Sequence, residues 1–162
     1  MLYGKNLKRF GMLKYVDTMV TFSEFPDEIS LCINISNCPC HCTSCHSSYL
    51  ANDIGEPLYL ETLYALIDKN EGITCVGFMG GDSEPKYVNT LAKATKDIYN
   101  IKVGWYSGRQ ELSKEIDLNN FDLIKLGPYI EEKGPLNNPN TNQRMYLVDN
   151  NQLKDITSKF WK

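Results

Sequence analysis

The chain has 162 residues, a usual length for one domain, and its 42% hydrophobic and 23% charged residues favour a packed core over disorder. Its net charge of −3 argues against a general binder of nucleic acid or anionic membranes, because the surfaces of such proteins are basic. No apolar run approaches the roughly 18 residues of a membrane span, and the N-terminal residues lack the apolar region of a secretory signal. We therefore expect a single cytoplasmic domain that binds neither nucleic acid nor membrane.

The first part of the chain predicts two strands separated by a turn. Residues 13–22 are typical of an extended segment, and the Pro-Asp pair at 26–27 marks the turn. Residues 29–35 alternate strictly between an apolar and a polar face. The polar face consists of Ser30, Cys32 and Asn34. This face either lines a chamber or meets solvent.

Strand and helix patterns alternate through the rest of the chain. The expected elements are a helix at 60–70, a strand at 73–79, a helix after residue 83, a strand at 101–106, a helix at 110–116, a strand at 121–126, a loop at 127–143, a strand at 144–148 and a helix at 152–161. For the helix after residue 83, we expect Ser83 as the N-cap, Pro85 in the first turn and Ile98 on the buried face.

This order of elements predicts the fold class. Strand, helix and strand in succession are typical of a parallel sheet with right-handed crossovers. A complete eight-unit barrel takes about 250 residues, so we predict an α/β fold with a partial (β/α) barrel of mostly parallel strands. Ligand sites gather at the carboxyl ends of parallel strands. The unusual loops of this chain all follow predicted strands, so we expect them to meet at one edge of the sheet.

The cysteines indicate where that site lies. Five of the six occur in one short stretch, at Cys32, Cys38, Cys40, Cys42 and Cys45. Disulfides between thiols this close would close only tiny loops, and we expect a reducing compartment. Both histidines lie in the same stretch. The cluster therefore indicates a metal or redox site.

The spacing Cys38-x3-Cys42-x2-Cys45 permits more than one kind of centre. Three thiolates can hold a 4Fe-4S cluster and leave one iron open for a substrate or cofactor. A closed electron-carrier cluster would need a fourth thiolate, and a structural zinc site would need a fourth ligand. The fourth thiolate could come only from Cys32, Cys40 or Cys75.

The cysteine spacing, shortly after a strand, resembles the radical S-adenosylmethionine (SAM) superfamily. FMGGDSEP at 78–85 is similar to the glycine-rich motif of that superfamily. GPYIEE at 127–132 and TNQR at 141–144, in a short chain, resemble the family of anaerobic ribonucleoside-triphosphate reductase-activating proteins. The likeness runs from about residue 13 to about residue 148, which would make 1–162 one radical SAM activase domain.

The resemblance implies a cofactor set and an activity. Cys38, Cys42 and Cys45 would hold one 4Fe-4S cluster per chain, and SAM would bind the open iron. Cleavage of SAM would give a 5′-deoxyadenosyl radical, which makes a glycyl radical on the large subunit of anaerobic ribonucleotide reductase. Flavodoxin or ferredoxin is the implied electron donor. No residue is implied to be catalytic beyond the cluster and SAM.

Six residues are expected to contact SAM: Ser44, His46, Gly80, Gly81, Asp82 and Ser107. The two glycines would let the backbone approach the ligand, and the Asp82 carboxylate would face the methionyl amine. The chain departs from the superfamily pattern in three ways. It has serine rather than an aromatic residue before the third cysteine, aspartate rather than glutamate in the glycine motif, and the extra thiol of Cys40.

Other residues and functions stay open at this point. Lys125 is either a snorkelling edge residue or a cation that faces the site, and Arg109 and Arg144 would face the cofactor, the partner or solvent. The loop at 127–143 is predicted to help dock the partner. The alternatives are another radical SAM activase, a small-molecule radical SAM enzyme, and a non-catalytic Fe–S or zinc module.

Overall fold

The structure is a computed structural model that describes residues 12–42 and 47–161. Its strands are β1 (Lys14–Thr21), β2 (Ser30–Ile35), β3 (Glu56–Pro57), β4 (Cys75–Met79), β5 (Lys102–Tyr106), β6 (Leu123–Leu126), β7 (Arg144–Asp149) and β8 (Gln152–Asp155). Its α-helices are α1 (Leu60–Lys69) and α2 (Pro85–Tyr99), and short 3-10 turns lie at Ser48–Ala51, Leu118–Asn120 and Thr157–Phe160. Neither α-helix of the described ranges has the length and apolar character needed to cross a membrane.

The strands form one mixed sheet in the order β3-β1-β2-β4-β5-β6-β7-β8. The α/β class is confirmed, but the prediction of mostly parallel strands is wrong. Within the described residues, β2–β4, β4–β5 and β5–β6 are the three parallel pairs, and the other four pairs are antiparallel. Parallel pairing needs a crossover of about a dozen residues or more, and the connections from β1 to β2 and from β7 to β8 are shorter. The sheet is open rather than closed.

Several predicted elements differ from the structure. The prediction of a closing helix at 152–161 is wrong. Asn150 and Asn151 adopt positive φ values of 49° and 60°, so the chain turns and β8 pairs with β7 in a hairpin. The short helix at 110–116 is absent, and that segment is irregular. Ser83 does not cap α2, whose N-cap is Glu84 with Pro85 at the first helical position.

The helices cover one face of the sheet and form the main core. From the strands, this core includes Leu31, Ile33, Ile35, Val76, Phe78, Val103, Trp105 and Ile124. From the helices, it includes Leu63, Ile67, Val88, Leu91 and Ala92. The core thus includes Leu31, Ile33 and Ile35 from the predicted apolar face of 29–35, whereas Ile29 is only half-buried and Ile98 is 57% exposed.

Phe25, from the loop between β1 and β2, fills the amino-terminal part of the opposite face. Its ring is fully buried and packs edge-on against Tyr106, with ring centroids 5.2 Å apart. Gly77 and Gly104 make room for it, because an added Cβ would lie 2.3 Å and 2.2 Å from ring carbons of Phe25. Phe25 therefore closes one end of this face.

This contact predicts a specific non-additive effect on stability. Gly104→Ala should lower the free energy of unfolding by about 1–3 kcal/mol, because the new methyl group would overlap the Phe25 ring. Phe25→Leu makes room for that methyl group, so the double variant should lose less than the sum of the two single losses. Urea unfolding of all three variants measures the interaction energy. Purely additive losses would contradict the contact.

Candidate cofactor site

A cavity of about 1390 Å³ lies over the face that Phe25 partly fills. Asn34, Met79, Tyr106 and Lys125 line it and form one row across β2, β4, β5 and β6, because the parallel register pairs each with the next. Cys32 lines the same cavity, so the polar face of β2 borders a chamber. Small-molecule pockets usually measure about 300–1000 Å³. The cavity therefore has room for a ligand of nucleoside size or larger.

Lys125 brings a cation to the cavity wall. It lies in β6, which pairs with β5 on one side and with β7 on the other, so it is not an edge residue. Its side chain is buried, and Nζ donates to the carbonyl oxygens of Ser107 at 3.1 Å and Gly127 at 3.0 Å. Nζ also lies 5.3 Å from the ring centroid of Tyr106. Of the two interpretations left open by the sequence, the geometry favours a cation that faces the site.

The two other basic residues left open by the sequence have different surroundings. Arg144 forms an ion pair with Asp155 at 3.7 Å. Arg109 lines a separate cavity of about 390 Å³ beside Asp82. Among the described residues, Lys125 is therefore the one of these three basic side chains that lines the large cavity.

Gly80 and Gly81 follow β4 with φ values of +114° and +101°, a conformation that favours glycine. The Gly80 N–H donates to the Tyr106 carbonyl at 3.1 Å, and the Gly80 carbonyl accepts from Nε1 of Trp105 at 2.8 Å. A Cβ on Gly81 would lie 2.5 Å from a methyl carbon of Val88. Backbone conformation and packing against the protein therefore account for both glycines, and their contact with SAM stays a prediction.

Asp82 joins three loops at this edge of the sheet. Its side chain is buried, and its Oδ1 accepts from Oγ of Ser107 at 2.5 Å. Its Oδ2 accepts from the Gly108 N–H at 2.8 Å and from Sγ of Cys40 at 3.6 Å. The structure thus brings together two of the predicted SAM contacts, Asp82 and Ser107. The sequence contained no signal for the contact with Cys40, which lies 42 residues away in the chain.

The predicted cluster ligands lie partly within the described residues. Cys38 and Cys42 are free, half-buried thiols, whereas Cys45, together with Ser44 and His46, lies outside the described residues. The Cys38 N–H donates to the Leu50 carbonyl at 2.8 Å, which fixes the start of the loop. Among residues 12–42 and 47–161, no three His, Cys, Asp or Glu side chains form a metal-binding group.

Burial raises the pKa of three other thiols to about 12: Cys32, Cys40 and Cys75. The Glu24 carboxylate adds to the effect at Cys32, and Asp82 adds to it at Cys40. Metals bind the thiolate rather than the thiol. Cys75 also starts β4, about 13 Å from the carboxyl end of that strand at about 3.3 Å per residue. By its position at the far end of β4, Cys75 is therefore a poor candidate for a fourth cluster ligand.

The described residues fit an iron–sulfur centre with a bound cofactor in two respects. Accessible free thiols, as at Cys38 and Cys42, are the soft ligands that iron–sulfur clusters require. The neighbouring cavity combines apolar walls with the polar groups of Asn34 and Lys125, a mixture typical of cofactor sites. Comparisons of the chain with protein-family models, with curated proteins and with solved structures found no match.

The raised pKa of Cys75 predicts a loss of stability in alkaline solution. The thiol has a pKa of 9.0 in the unfolded chain and of about 12 in the fold, so its contribution is complete below pH 9 and declines as the pH rises towards 12. Between about pH 8 and pH 10.5, one such thiol should cost about 2 kcal/mol of unfolding free energy.

Urea unfolding at both pH values tests this effect. Cys75→Ala should show a smaller decline with pH than the wild type, although the variant is less stable at every pH. Val76→Ala, a truncation at the neighbouring buried position, should keep the full decline. An unchanged decline in Cys75→Ala would contradict the assignment.

Proposed function

We propose that the chain is a radical SAM enzyme that generates a glycyl radical on the large subunit of an anaerobic ribonucleoside-triphosphate reductase. The observation that carries the proposal is the position of the cysteine loop. The loop follows β2, and its Cys40 contacts Asp82 and lies against Gly108 at the carboxyl ends of β4 and β5. Carboxyl ends of parallel strands are where ligands bind in α/β sheets. The parallel strands β2, β4, β5 and β6 would form the core of a partial barrel of radical SAM type.

The residues have separable roles in this proposal. Cys38, Cys42 and Cys45 would hold a 4Fe-4S cluster. When bound, the cluster and SAM supply a one-electron cleavage that gives a 5′-deoxyadenosyl radical. Lys125 adds a positive charge to the cavity wall, which suits the carboxylate of an amino-acid ligand. Phe25 is fully buried over Gly77 and Gly104 and fills another part of the sheet face that the cavity covers.

The open side of the cavity supports a protein substrate. The sheet does not close, and two exposed apolar residues, Met19 at 63% and Phe22 at 74% exposure, line the cavity. Exposed apolar side chains grouped at a cavity are typical of interaction sites. A small-molecule radical enzyme would gain from enclosure, whereas a protein backbone needs an entrance. Flavodoxin or ferredoxin is the proposed electron donor.

Anaerobic reconstitution tests the cofactor assignment. The protein should bind about four irons per chain, and the electron-spin signal of the reduced cluster should change when SAM is added. Cys38→Ser and Cys42→Ser should lose most of the iron, because they remove ligands, and they should no longer convert SAM to 5′-deoxyadenosine with dithionite. Cys75→Ser is the matched control, since this thiol lies at the opposite end of β4, and it should keep both properties.

Two outcomes would contradict the proposed function. A colourless protein that binds zinc would favour the structural module. An iron–sulfur signal indifferent to SAM would favour the electron carrier.

The partner can be tested separately from SAM cleavage. The loop at 127–143 borders the cavity, and Glu132, Lys133 and Asn140 on it are exposed. Changing these three residues to alanine should slow glycyl-radical formation on the reductase large subunit by about fivefold or more. Dithionite-driven SAM cleavage should remain near the wild-type rate.

The control for this experiment changes Lys93 and Asp97 to alanine on α2, where they form an exposed ion pair. That variant should keep both activities. Equal loss of both activities in the loop variant would count against a docking role.

A further inference from the structure

We propose that Asp82 is a positioning residue that clamps the cysteine loop to the end of β5, through Cys40 on one side and Ser107 and Gly108 on the other. The inference rests on the proposed function for what the loop carries. The clamp itself consists of contacts within the protein. It gives Asp82 a role different from the expected contact with the methionyl amine.

The first support is the burial of the carboxylate. Asp82 is 6% exposed, and a carboxylate removed from water is stable only when donors surround it. Ser107 and Gly108 supply two short hydrogen bonds, at 2.5 Å and 2.8 Å. Cys40 supplies a third donor at 3.6 Å, from a different loop. Two donors fix the carboxylate to β5, and the third connects it to the cysteine loop.

The second support is the packing of Cys40 on Gly108, which does not depend on the hydrogen bond. A Cβ added to Gly108 would lie 2.8 Å from Sγ of Cys40 and 3.1 Å from its Cβ. Gly108 does not have a left-handed φ, so its backbone conformation does not require glycine. Position 108 requires glycine instead because Cys40 occupies the space that a Cβ would take. The side chain of Cys40 is thus held by Asp82 and by the surface of Gly108 together.

The position of Cys40 in the loop gives the clamp its consequence. Cys40 lies two residues from Cys38 and two residues from Cys42. Two residues span at most about 7 Å, so fixing Cys40 restricts where both thiols can lie. The Cys38 N–H is fixed independently by the Leu50 carbonyl at 2.8 Å. The loop therefore has two fixed points before any cofactor binds, which lowers the entropic cost of assembling the cluster site.

A matched pair of variants tests the clamp. Cys40→Ser keeps a donor for Asp82, and Cys40→Ala removes it with almost no further change in volume. In the cofactor-free protein, iodoacetamide should modify Cys38 and Cys42 about fivefold faster in Cys40→Ala, as expected for the loss of one typical hydrogen bond. Cys40→Ser should stay near the wild-type rate. Mass spectrometry of timed samples measures the modification of each thiol.

Asp82→Asn provides a second test, because an amide cannot accept all three hydrogen bonds. Its effect on both thiols should match that of Cys40→Ala, while Asp97→Asn, at an exposed carboxylate, should have no effect. After reconstitution, Cys40→Ala should lose iron to a chelator about fivefold faster than Cys40→Ser. This rescue by serine would not be expected if Cys40 only filled space.

Equal modification rates in Cys40→Ala, Cys40→Ser and the wild type would overturn the clamp, as would equally fast rates in both variants. These measurements use the cofactor-free protein, so they remain valid if the wild type binds no cluster. In that case, the proposed function fails and the thiol rates still decide the clamp. A wild type that binds a SAM-responsive cluster, with no difference between the Cys40 variants, would retain the function and reject the clamp.

Discussion

The parallel register of β2, β4, β5 and β6 is the constraint on which the site depends. It pairs Asn34 with Met79, Met79 with Tyr106, and Tyr106 with Lys125. The loops that follow these strands therefore start side by side, although they are far apart in the sequence. Lys125 then bonds to carbonyls of the two loops after β5 and β6, and Asp82 bonds to the loops after β2 and β5. Hydrogen bonds between loops thus stabilise an arrangement that the strands determine.

The two ends of the sheet are built differently. At the amino-terminal end, Phe25 fills the space over two glycines, and the buried Glu28 accepts from Thr74 and from Lys102, both at 2.5 Å. This end is packed with paired groups. At the carboxyl-terminal end, polar groups such as those of Asn34 and Lys125 border a large cavity. A ligand needs both open space and polar groups with which to form hydrogen bonds. We therefore expect ligands to bind at the carboxyl-terminal end of the sheet.

The local patterns of the sequence predicted much of this arrangement. Alternation in β2 identified its two faces, and the strand predicted at 73–79 corresponds to β4. The rule that loops after parallel strands converge placed Asp82 and Ser107 together, and their side chains are hydrogen-bonded. These features depend on neighbours in sequence or on general topology, and both can be read from one chain.

Other features depend on partners that the sequence does not indicate. The contact between Cys40 and Asp82 joins residues 42 positions apart, and no local pattern connects two residues at that distance. The hairpin at Asn150 and Asn151 follows from their left-handed backbone, whereas the residues after it have an apolar spacing that also suits a helix. Ile98 fits the helical period of α2, yet it is 57% exposed.

The antiparallel strands at the edges also bear on the proposed function. A series of further strand–helix units would extend the parallel sheet towards a closed barrel, with its helices on the outside. Here β1 and β3 end one side of the sheet, and β7 and β8 end the other, so antiparallel strands replace further crossovers and the sheet stays open. An open face is a disadvantage for an enzyme that must shield a radical from solvent, unless a large partner covers it during the reaction. In the proposed function, this open face suits a protein substrate, as the open side of the predicted partial barrel would also have done.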